Sequence, residues 1–277
     1  MHELKSPLPD WPKSWVDAFN ADSAEFWGSR VNPGYTFAYR RRFRASMGLI
    51  EKYLPTGASI VDVAAGQGNF TLAMAEAGYR VVWNDLRADL EGYVRMKYEG
   101  GVVDYAGGNA FDVLDGGDFD AVMANEIIEH VAHPDDLLRQ LARLCRPGGL
   151  IFLSTPNGGY WHTGLPSFEE VDDPNLLESE QFAPGAEGHL FLLTNSELVS
   201  LATEAGLEVV ELVNFTSPLL VGDFGINRLL RFVPAHAVTA ANSLLEQLPD
   251  RVGRSVLMHT CAVFRSTRSQ SMDRSAQ

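Results

Sequence analysis

The sequence predicts an α/β protein: a seven-stranded, mostly parallel sheet with helices on both faces, preceded by an N-terminal helical layer and interrupted by lid or insert segments. Short apolar runs alternate with amphipathic stretches between residues 59 and 154, and this rhythm is typical of strands joined by crossover helices. The alternation stops after residue 155 and resumes near residue 195, which indicates an insertion within one sheet. With 277 residues, of which 45% are hydrophobic, the chain can bury one large core.

The elements follow in order along the chain. A segment rich in tryptophan and arginine, residues 11–54, predicts the N-terminal helices. Apolar runs predict strands at residues 59–64, 80–84, 102–105, 119–124, 150–154, 208–215 and 256–264. Amphipathic stretches predict helices at residues 70–77, 88–98, 135–145 and 195–205. Gly78 and Gly206 directly follow two of these helices, as glycine commonly does at a helix end.

The predicted domain organisation has one main unit, residues 55–265, after a helical segment or lid formed by residues 1–54. Residues 156–188 are rich in Gly, Pro, Asp and Glu and are too long for a simple connection, so they predict a lid. Residues 217–250 form a second insertion with helical periodicity, which is compatible with packing on the core or in a homodimer. The small, polar residues 266–277 predict a disordered tail.

Charge, cysteine content and hydropathy limit the classes of binding partner and the expected cellular location. The net charge of -14 repels phosphate backbones and makes a nucleic-acid partner unfavourable. Cys145 and Cys261 are far apart and lie in no metal-knuckle spacing, so a reducing, cytoplasmic location is expected. No apolar run is long enough for a transmembrane segment, and residues 1–12 lack the apolar stretch of a signal peptide.

A glycine-rich turn predicts a binding site for a nucleotide-like ligand. Asp62 ends the first predicted strand, and Gly66 and Gly68 precede a helix, so backbone N–H groups gather at the sheet edge where α/β proteins bind ligands. Asp85 ends the next strand and can accept hydrogen bonds from two ribose hydroxyls. Asn109 and Ala110, after the third strand, could reach an adenine edge. A dinucleotide site remains an alternative, although Thr71 stands where its third glycine is expected.

The segment after the fourth predicted strand concentrates charge. On a helix, Glu126, Glu129 and His130 share one face, and two carboxylates with an imidazole form a credible divalent-ion site. Acidic residues also favour helix N-termini, and His130 could serve as a cap or a packing residue. Both interpretations follow from the spacing.

Several motifs together resemble those of one enzyme family. "VDVAAGQGNF", "VVWNDL", "GNAFDV", "FDAVMANEIIEHVAHPDDLLRQLARLCRPGGLIFLSTPN" and "GHLFLLTNSELVSLATEAGLEVVEL" occur in the order seen in class I S-adenosylmethionine-dependent methyltransferases, whose fold is Rossmann-like. Between about Arg40 and Phe215 the chain looks most like the ubiquinone-biosynthesis O-methyltransferases. The resemblance implies S-adenosylmethionine contacts at Arg44 (or Arg40), Asp62, Gly66, Gly68, Asp85, Asn109, Ala110 and Asn125. Ala64 and Ala65 replace the family's usual loop residues, and Asn109 replaces an acidic one.

The resemblance also implies a metal site. In that branch, and in plant small-RNA 2′-O-methyltransferases, a Glu-x-x-Glu-His motif binds a divalent cation, and the RNA enzymes add a histidine at the position of His189. The implied ligands here are Glu126, Glu129, His130 and His189, with Glu129, His130 and His189 as the catalytic residues. Two imidazoles favour Mn, Co, Fe or Zn over Mg. A histidine could instead act as a general base without metal, and His189 is preferred over His162 for this role.

The sequence thus predicts an enzyme that methylates a hydroxyl of a small molecule, a sugar or a phenol/catechol. RNA 2′-O-methylation is the alternative within the same enzyme class. A protein that binds S-adenosylmethionine without turnover and, less favoured, a dehydrogenase are the alternatives outside it.

Overall fold

A seven-stranded sheet forms the centre of the protein in the computed structural model, which describes residues 1–27, 33–181, 188–221, 230 and 232–268. The strands are β1 (Ser59–Val63), β2 (Arg80–Asp85), β3 (Val102–Gly107), β4 (Phe119–Asn125), β5 (Cys145–Pro156), β6 (Leu207–Phe215) and β7 (His259–Ser266). Their order across the sheet is β3-β2-β1-β4-β5-β7-β6. Strands β1 to β5 run parallel to one another, and β7 is antiparallel to both β5 and β6. The predicted Rossmann-like, mostly parallel sheet is confirmed.

Helices cover both faces of the sheet. In chain order they are α1 (Lys13–Glu25), α2 (Pro33–Tyr53), α3 (Asn69–Glu76), α4 (Leu90–Lys97), α5 (Ala110–Val113), α6 (Pro134–Leu144), α7 (Asn195–Glu204), α8 (Pro218–Val221), α9 (Ala235–Leu245) and α10 (Asp250–Val256). The first two form the predicted N-terminal layer. Helix α6 illustrates the packing: Leu137, Leu138 and Leu141 are buried in the core, while Arg139 pairs with Asp135 on the outer side. This amphipathic pattern is what fixes the helix against the sheet.

The topology creates a crevice between β1 and β4. The chain runs from β1 outwards to β3 and then returns to place β4 on the other side of β1. Helices after the two strands therefore lie on opposite faces, which leaves a crevice at their carboxyl ends where such folds bind ligands. Strand β7 is antiparallel, so its first residue, His259, lies opposite Pro156 at this same edge.

The starts of two strands differ from the prediction by three residues or more. The last strand begins at His259 rather than at residue 256, because residues 250–256 form helix α10. Strand β5 begins at Cys145 rather than at residue 150, because Cys145 already pairs with Phe119 of β4. No helix within the described residues is long and apolar enough to cross a membrane.

The inserted segments are only partly described. Residues 156–181 contain two 3-10 turns, Phe168–Glu170 and Pro174–Leu177, while residues 182–187 lie outside the described part. The second insertion contains helices α8 and α9, while residues 222–229 and 231 lie outside the described part. The predicted tail is described only as far as residue 268. The domain boundaries therefore stay a prediction.

Candidate active site

The glycine-rich turn lies directly after β1 and uses left-handed backbone conformations. Ala64, Gly66 and Gly68 have φ values of 55°, 52° and 73°. A side chain on Gly68 would place its Cβ only 2.6 Å from Val94 of α4, so this turn can exist only with glycine there. The turn presents the N-terminus of α3 to the crevice.

Asp85, at the end of β2, is buried beside this turn. Its Oδ2 accepts a hydrogen bond from the Gly66 N–H at 2.8 Å, and its Oδ1 accepts bonds from the N–H and Nε of Arg87 at 2.9 and 3.0 Å. The Arg87 side chain is 62% exposed, so it can move aside. The contact of Asp85 with the Arg87 backbone N–H does not depend on the position of that side chain.

Asp62 lies beneath the turn and is almost fully buried. Its Oδ2 accepts a hydrogen bond from the Thr71 hydroxyl at 2.6 Å. Burial raises the pKa of Asp62 to about 7, and the neighbouring Asp85 adds to the rise while the Thr71 hydrogen bonds oppose it. Asp62 therefore supports the turn from below as a carboxyl that gains and loses its proton near neutral pH.

This raised pKa gives a pH-dependent stability. Between about pH 4 and pH 7 the folded protein keeps a proton on Asp62 that the unfolded chain releases, so stability falls as pH rises through this range. The isosteric Asp62→Asn variant lacks this contribution, and its free energy of unfolding should fall less over the same range. Urea unfolding at several pH values measures both curves. Parallel curves for the two proteins would contradict the account.

The predicted adenine-side and β4 residues have different surroundings. The Asn109 side chain caps α5 by accepting a hydrogen bond from the Phe111 N–H at 3.1 Å, while Ala110 is buried. At the end of β4, both amide atoms of Asn125 are buried without a hydrogen-bond partner among the described residues. A buried amide without hydrogen bonds destabilises the protein unless a ligand forms the missing bonds. Asn125 therefore fits a ligand-binding position.

The segment after β4 is not the single helix expected from its spacing. Glu126 has a φ of 49°, and only Ile128–His130 forms a 3-10 turn before α6 begins at Pro134. The left-handed residue turns the chain directly after the strand, so Glu126 and Glu129 do not share a helical face. Ala64 and Glu126 thus mark the ends of the two strands that flank the crevice, and non-glycine residues in this conformation concentrate at functional sites.

Three of the four predicted ligands nevertheless converge. Ligand atoms of Glu129, His130 and His189 all lie within 4.8 Å of one another, and the two imidazole rings are 4.9 Å apart. The backbone N–H of Leu190 donates to the Glu129 carbonyl at 2.9 Å, which holds His189 beside the 3-10 turn. The His130 Nδ1–H donates to the Gly188 carbonyl at 3.1 Å and leaves Nε2 available as a ligand atom.

The Glu129 carboxylate is fully buried and incompletely satisfied. Its Oε2 accepts a hydrogen bond from Thr155 at 3.0 Å, and Oε1 has no hydrogen-bond partner among the described residues. Burial and the nearby Glu126 charge raise the pKa of Glu129 well above its ordinary value. Burial, with a smaller contribution from His130, lowers the pKa of His189, which keeps its ring neutral. A cation would compensate the Glu129 carboxylate, so the cluster fits a metal ion.

Glu126, the fourth predicted ligand, pairs with Arg42 of α2 instead of joining this cluster. The Arg42 Nη1 and Glu126 Oε2 atoms are 2.8 Å apart, and Ser154 donates to the other carboxylate oxygen at 2.9 Å. Burial alone would raise the pKa of Glu126, but Arg42, with smaller help from His259 and Ser154, lowers it. Glu126 is therefore an ionised carboxylate whose partner is the guanidinium group of Arg42.

The arginine that lines the cavity beside this cluster is Arg42, whereas the resemblance had implied Arg44 or Arg40 as a cofactor contact. Arg44 is exposed, and the Arg40 Nε donates to the Phe26 carbonyl at 2.9 Å, where it joins α2 to the end of α1. Arg42 instead stacks on Tyr39 with 4.8 Å between the guanidinium carbon and the ring centre.

A cavity of about 430 Å³ opens beside the cluster. Arg42, His162, His189 and His259 contribute polar groups to its wall. The other lining residues are mostly apolar or aromatic: Tyr35, Ala38, Tyr39, Pro156, Asn157, Tyr160, Thr163, Leu192, Val221 and Met258. His189 thus belongs both to the cavity wall and to the ligand cluster.

A family model described as a methyltransferase domain matches residues 37–212, well over half of the chain. The chain belongs to the class I S-adenosylmethionine-dependent methyltransferases. The matched residues include the glycine-rich turn, Asp85, the Glu129 cluster and Arg42.

Curated relatives of this methyltransferase are named ubiquinone biosynthesis O-methyltransferase. The protein from Xanthomonas axonopodis pv. citri is 40% identical over 107 residues, which is 37% of this chain and 45%, or less than half, of that protein. The protein from Pseudomonas aeruginosa (strain UCBPP-PA14) is 31% identical over 186 residues, covering 63% of this chain and 78% of that protein. Among solved structures, the Burkholderia thailandensis 1,6-didemethyltoxoflavin-N1-methyltransferase has a TM-score of 0.53 at 17% identity, with 96% of this chain and 94% of that chain covered. This last likeness is one of fold.

Sequence reasoning missed one histidine of this methyltransferase altogether. The ring of His259 stacks on Phe215, with 5.6 Å between the ring centres, and its Nδ1 is buried without a hydrogen-bond partner among the described residues. Burial lowers its pKa to about 4, so the ring is neutral. A polar residue at the start of an otherwise apolar final strand was the available signal, but its place beside β5 depends on the antiparallel pairing.

Proposed function

We propose that this methyltransferase transfers a methyl group from S-adenosylmethionine to a hydroxyl of a small molecule, a phenol or catechol in preference to a sugar, with a divalent cation bound by Glu129, His130 and His189. The observation that carries the proposal is the shared position of His189 in the ligand cluster and in the cavity wall. A hydroxyl bound in the cavity comes close to that cluster. The names of the curated relatives support oxygen as the methylated atom.

The donor would bind at the crevice between β1 and β4. S-adenosylmethionine supplies a methyl group on a positively charged sulfur. We assign Gly66 and Gly68 to close backbone contact, Asp85 to the ribose, Asn109 and Ala110 to the adenine side, and Asn125 to a polar contact that its unsatisfied amide requires. Asp62 supports the turn. We assign the arginine contact to Arg42 rather than to Arg44, because Arg42 lines the cavity.

The acceptor would bind in the cavity. The volume of about 430 Å³ lies within the range of pockets for small organic molecules. Three tyrosine and three histidine rings in the lining favour a flat, ring-bearing acceptor over a sugar.

In the reaction, the bond between sulfur and methyl carbon breaks and a bond between the acceptor oxygen and that carbon forms. The hydroxyl proton passes to solvent when His189 binds the cation, and to His189 when no cation binds. A bound divalent cation would lower the pKa of this hydroxyl and orient it. Thr155 fixes Glu129, and the Gly188 carbonyl fixes the His130 ring, an arrangement typical of histidines that bind metals. The neutral His189 ring offers its lone pair to the cation or, if no cation binds, to the hydroxyl proton. Two imidazoles favour Mn, Co, Fe or Zn over Mg.

RNA methylation is a weaker candidate, because the net charge of -14 repels a phosphate backbone. A protein that binds the donor without turnover would leave the convergence of Glu129, His130 and His189 unexplained.

Methyl transfer from tritiated S-adenosylmethionine to catechol, phenol, glucose and a short RNA tests the proposal. We expect catechol or phenol to be labelled, the rate to fall at least tenfold after treatment with a chelator, and Mn²⁺ to restore it. A rate that chelation leaves unchanged, in protein whose metal analysis is blank, would contradict the cation and favour His189 as general base. Labelling of RNA alone would contradict the small-molecule acceptor.

A further inference from the structure

Helix α1 carries one buried carboxylate into the protein. Asp22 is 2% exposed, and three side chains donate hydrogen bonds to it. They are the Tyr93 hydroxyl at 2.6 Å, the Lys97 ammonium at 2.6 Å and the Asn69 amide at 2.7 Å. Asp22 therefore joins α1 to α3 and α4 at a single point.

Two of these groups form an ion pair that water cannot reach. The Lys97 side chain is fully buried, and its ammonium also donates to the Asn69 carbonyl oxygen at 2.7 Å. An isolated buried charge is strongly unfavourable, whereas a paired and hydrogen-bonded one is tolerated. If α1 left its place, Lys97 would lose its only anionic side-chain partner among the ion pairs of the described residues. The position of α1 and the charge on α4 thus depend on each other.

The same network reaches the glycine-rich turn from two sides. Asn69 is the first residue of α3 and directly follows Gly68, which packs on Val94 one turn before Lys97 in α4. On the other side, the Gln67 amide lies 3.4 Å from the carboxylate of Glu25, the last residue of α1. Helix α1 therefore contacts the turn both directly, through Glu25 and Gln67, and through Asn69.

We propose that Asp22, Asn69 and Lys97 act as a latch through which helix α1 holds the glycine-rich turn in its donor-binding conformation. These are positioning residues, because none of them is assigned a contact with the donor. Coupling of this kind is reciprocal: if docking of α1 strengthens donor binding, donor binding must stabilise the docking of α1 to the same extent. A role in packing alone predicts a change in stability without a change in donor affinity.

Hydrogen exchange of the unmodified protein tests one half of this reciprocity. We expect S-adenosylhomocysteine to slow amide exchange in residues 13–25, although no residue of this helix is assigned a contact with the donor. Equal exchange rates in α1 with and without saturating S-adenosylhomocysteine would overturn the latch.

Variants test the other half, with S-adenosylhomocysteine affinity measured by calorimetry. Lys97→Met leaves the Asp22 charge unpaired, so we expect its dissociation constant to rise at least tenfold and exchange in α1 to accelerate. The double variant Asp22→Asn/Lys97→Met removes both charges and should return to within about threefold of the unmodified protein. Arg95→Met, on the same helix but at an exposed ion pair with Glu91, is the control and should change nothing.

A Lys97→Met protein that binds S-adenosylhomocysteine normally while its α1 exchanges faster would contradict the proposal. If Lys97→Met does not fold, the exchange experiment on the unmodified protein decides, because equal exchange rates in α1 with and without S-adenosylhomocysteine would overturn the latch. Failure of acceptor methylation would leave all these outcomes unchanged, since none of them requires an acceptor.

Discussion

Replacement of Glu129 by glutamine should lower kcat for methyl transfer by about 10²- to 10³-fold while leaving the protein at least as stable as before. A cation that stabilises a developing negative charge contributes several kcal/mol to the barrier, and each 1.4 kcal/mol is a factor of ten. Stability should not fall, because the buried Glu129 carboxylate is repelled by Glu126 and lacks a partner at Oε1. A neutral amide of the same shape relieves that repulsion.

The comparison needs kcat, the KM for the donor and thermal unfolding of metal-free protein. Glu204→Gln, at an exposed position of α7, serves as the matched control and should change none of them. The expected signature is a lost response to Mn²⁺ together with an unchanged donor KM. A Glu129→Gln variant that keeps its activity, or that loses activity only because it unfolds, would refute the assigned role.

Replacement of Arg42 by methionine should destabilise the protein by about 2–4 kcal/mol, because it leaves the mostly buried Glu126 carboxylate without its cationic partner. Less than a fifth of either side chain is exposed. The folded-state pKa of Glu126 is depressed, so the stabilisation is present above the ordinary pKa of 4.5 and is lost as pH falls below it. Urea unfolding near neutral pH measures the effect.

A second substitution separates this charge effect from lost packing against Tyr39. Arg42→Met/Glu126→Gln should recover most of the stability, because no unpaired carboxylate remains. The exposed pair of Lys52 and Glu211 offers a matched control, and Lys52→Met should cost less than about 1 kcal/mol. If the double variant is no more stable than Arg42→Met, the ion pair is not the source of the effect.

The fold was predictable because its signals are local. Each buried parallel strand is a short apolar run, and the glycines at residues 66, 68 and 78 mark the turns between strand and helix. The boundaries near residues 145 and 256 were missed because strand pairing decides them. Cys145 pairs with Phe119 across the sheet, and no residue near Cys145 in the sequence records that partner.

The site was predictable in its residue types but not in its geometry. The spacing of Glu126, Glu129 and His130 suggested one helical face, yet the positive φ of Glu126 breaks the segment at its first residue. The partner of Glu126 is Arg42, 84 positions earlier in the chain, where several arginines of similar local pattern compete. His259 reaches the cavity only because β7 is antiparallel to β5. Long-range pairing of this kind leaves no mark on local sequence.

The most direct test of the account is a crystal structure with S-adenosylhomocysteine and Mn²⁺, in which anomalous scattering locates the metal. We predict one strong peak within bonding distance of Glu129 Oε1, His130 Nε2 and His189, with the sulfur of S-adenosylhomocysteine in the crevice between β1 and β4 and facing the cavity. A peak elsewhere, or no peak at saturating Mn²⁺, would contradict the cation site. A ligand bound away from the glycine-rich turn would contradict the donor site as well.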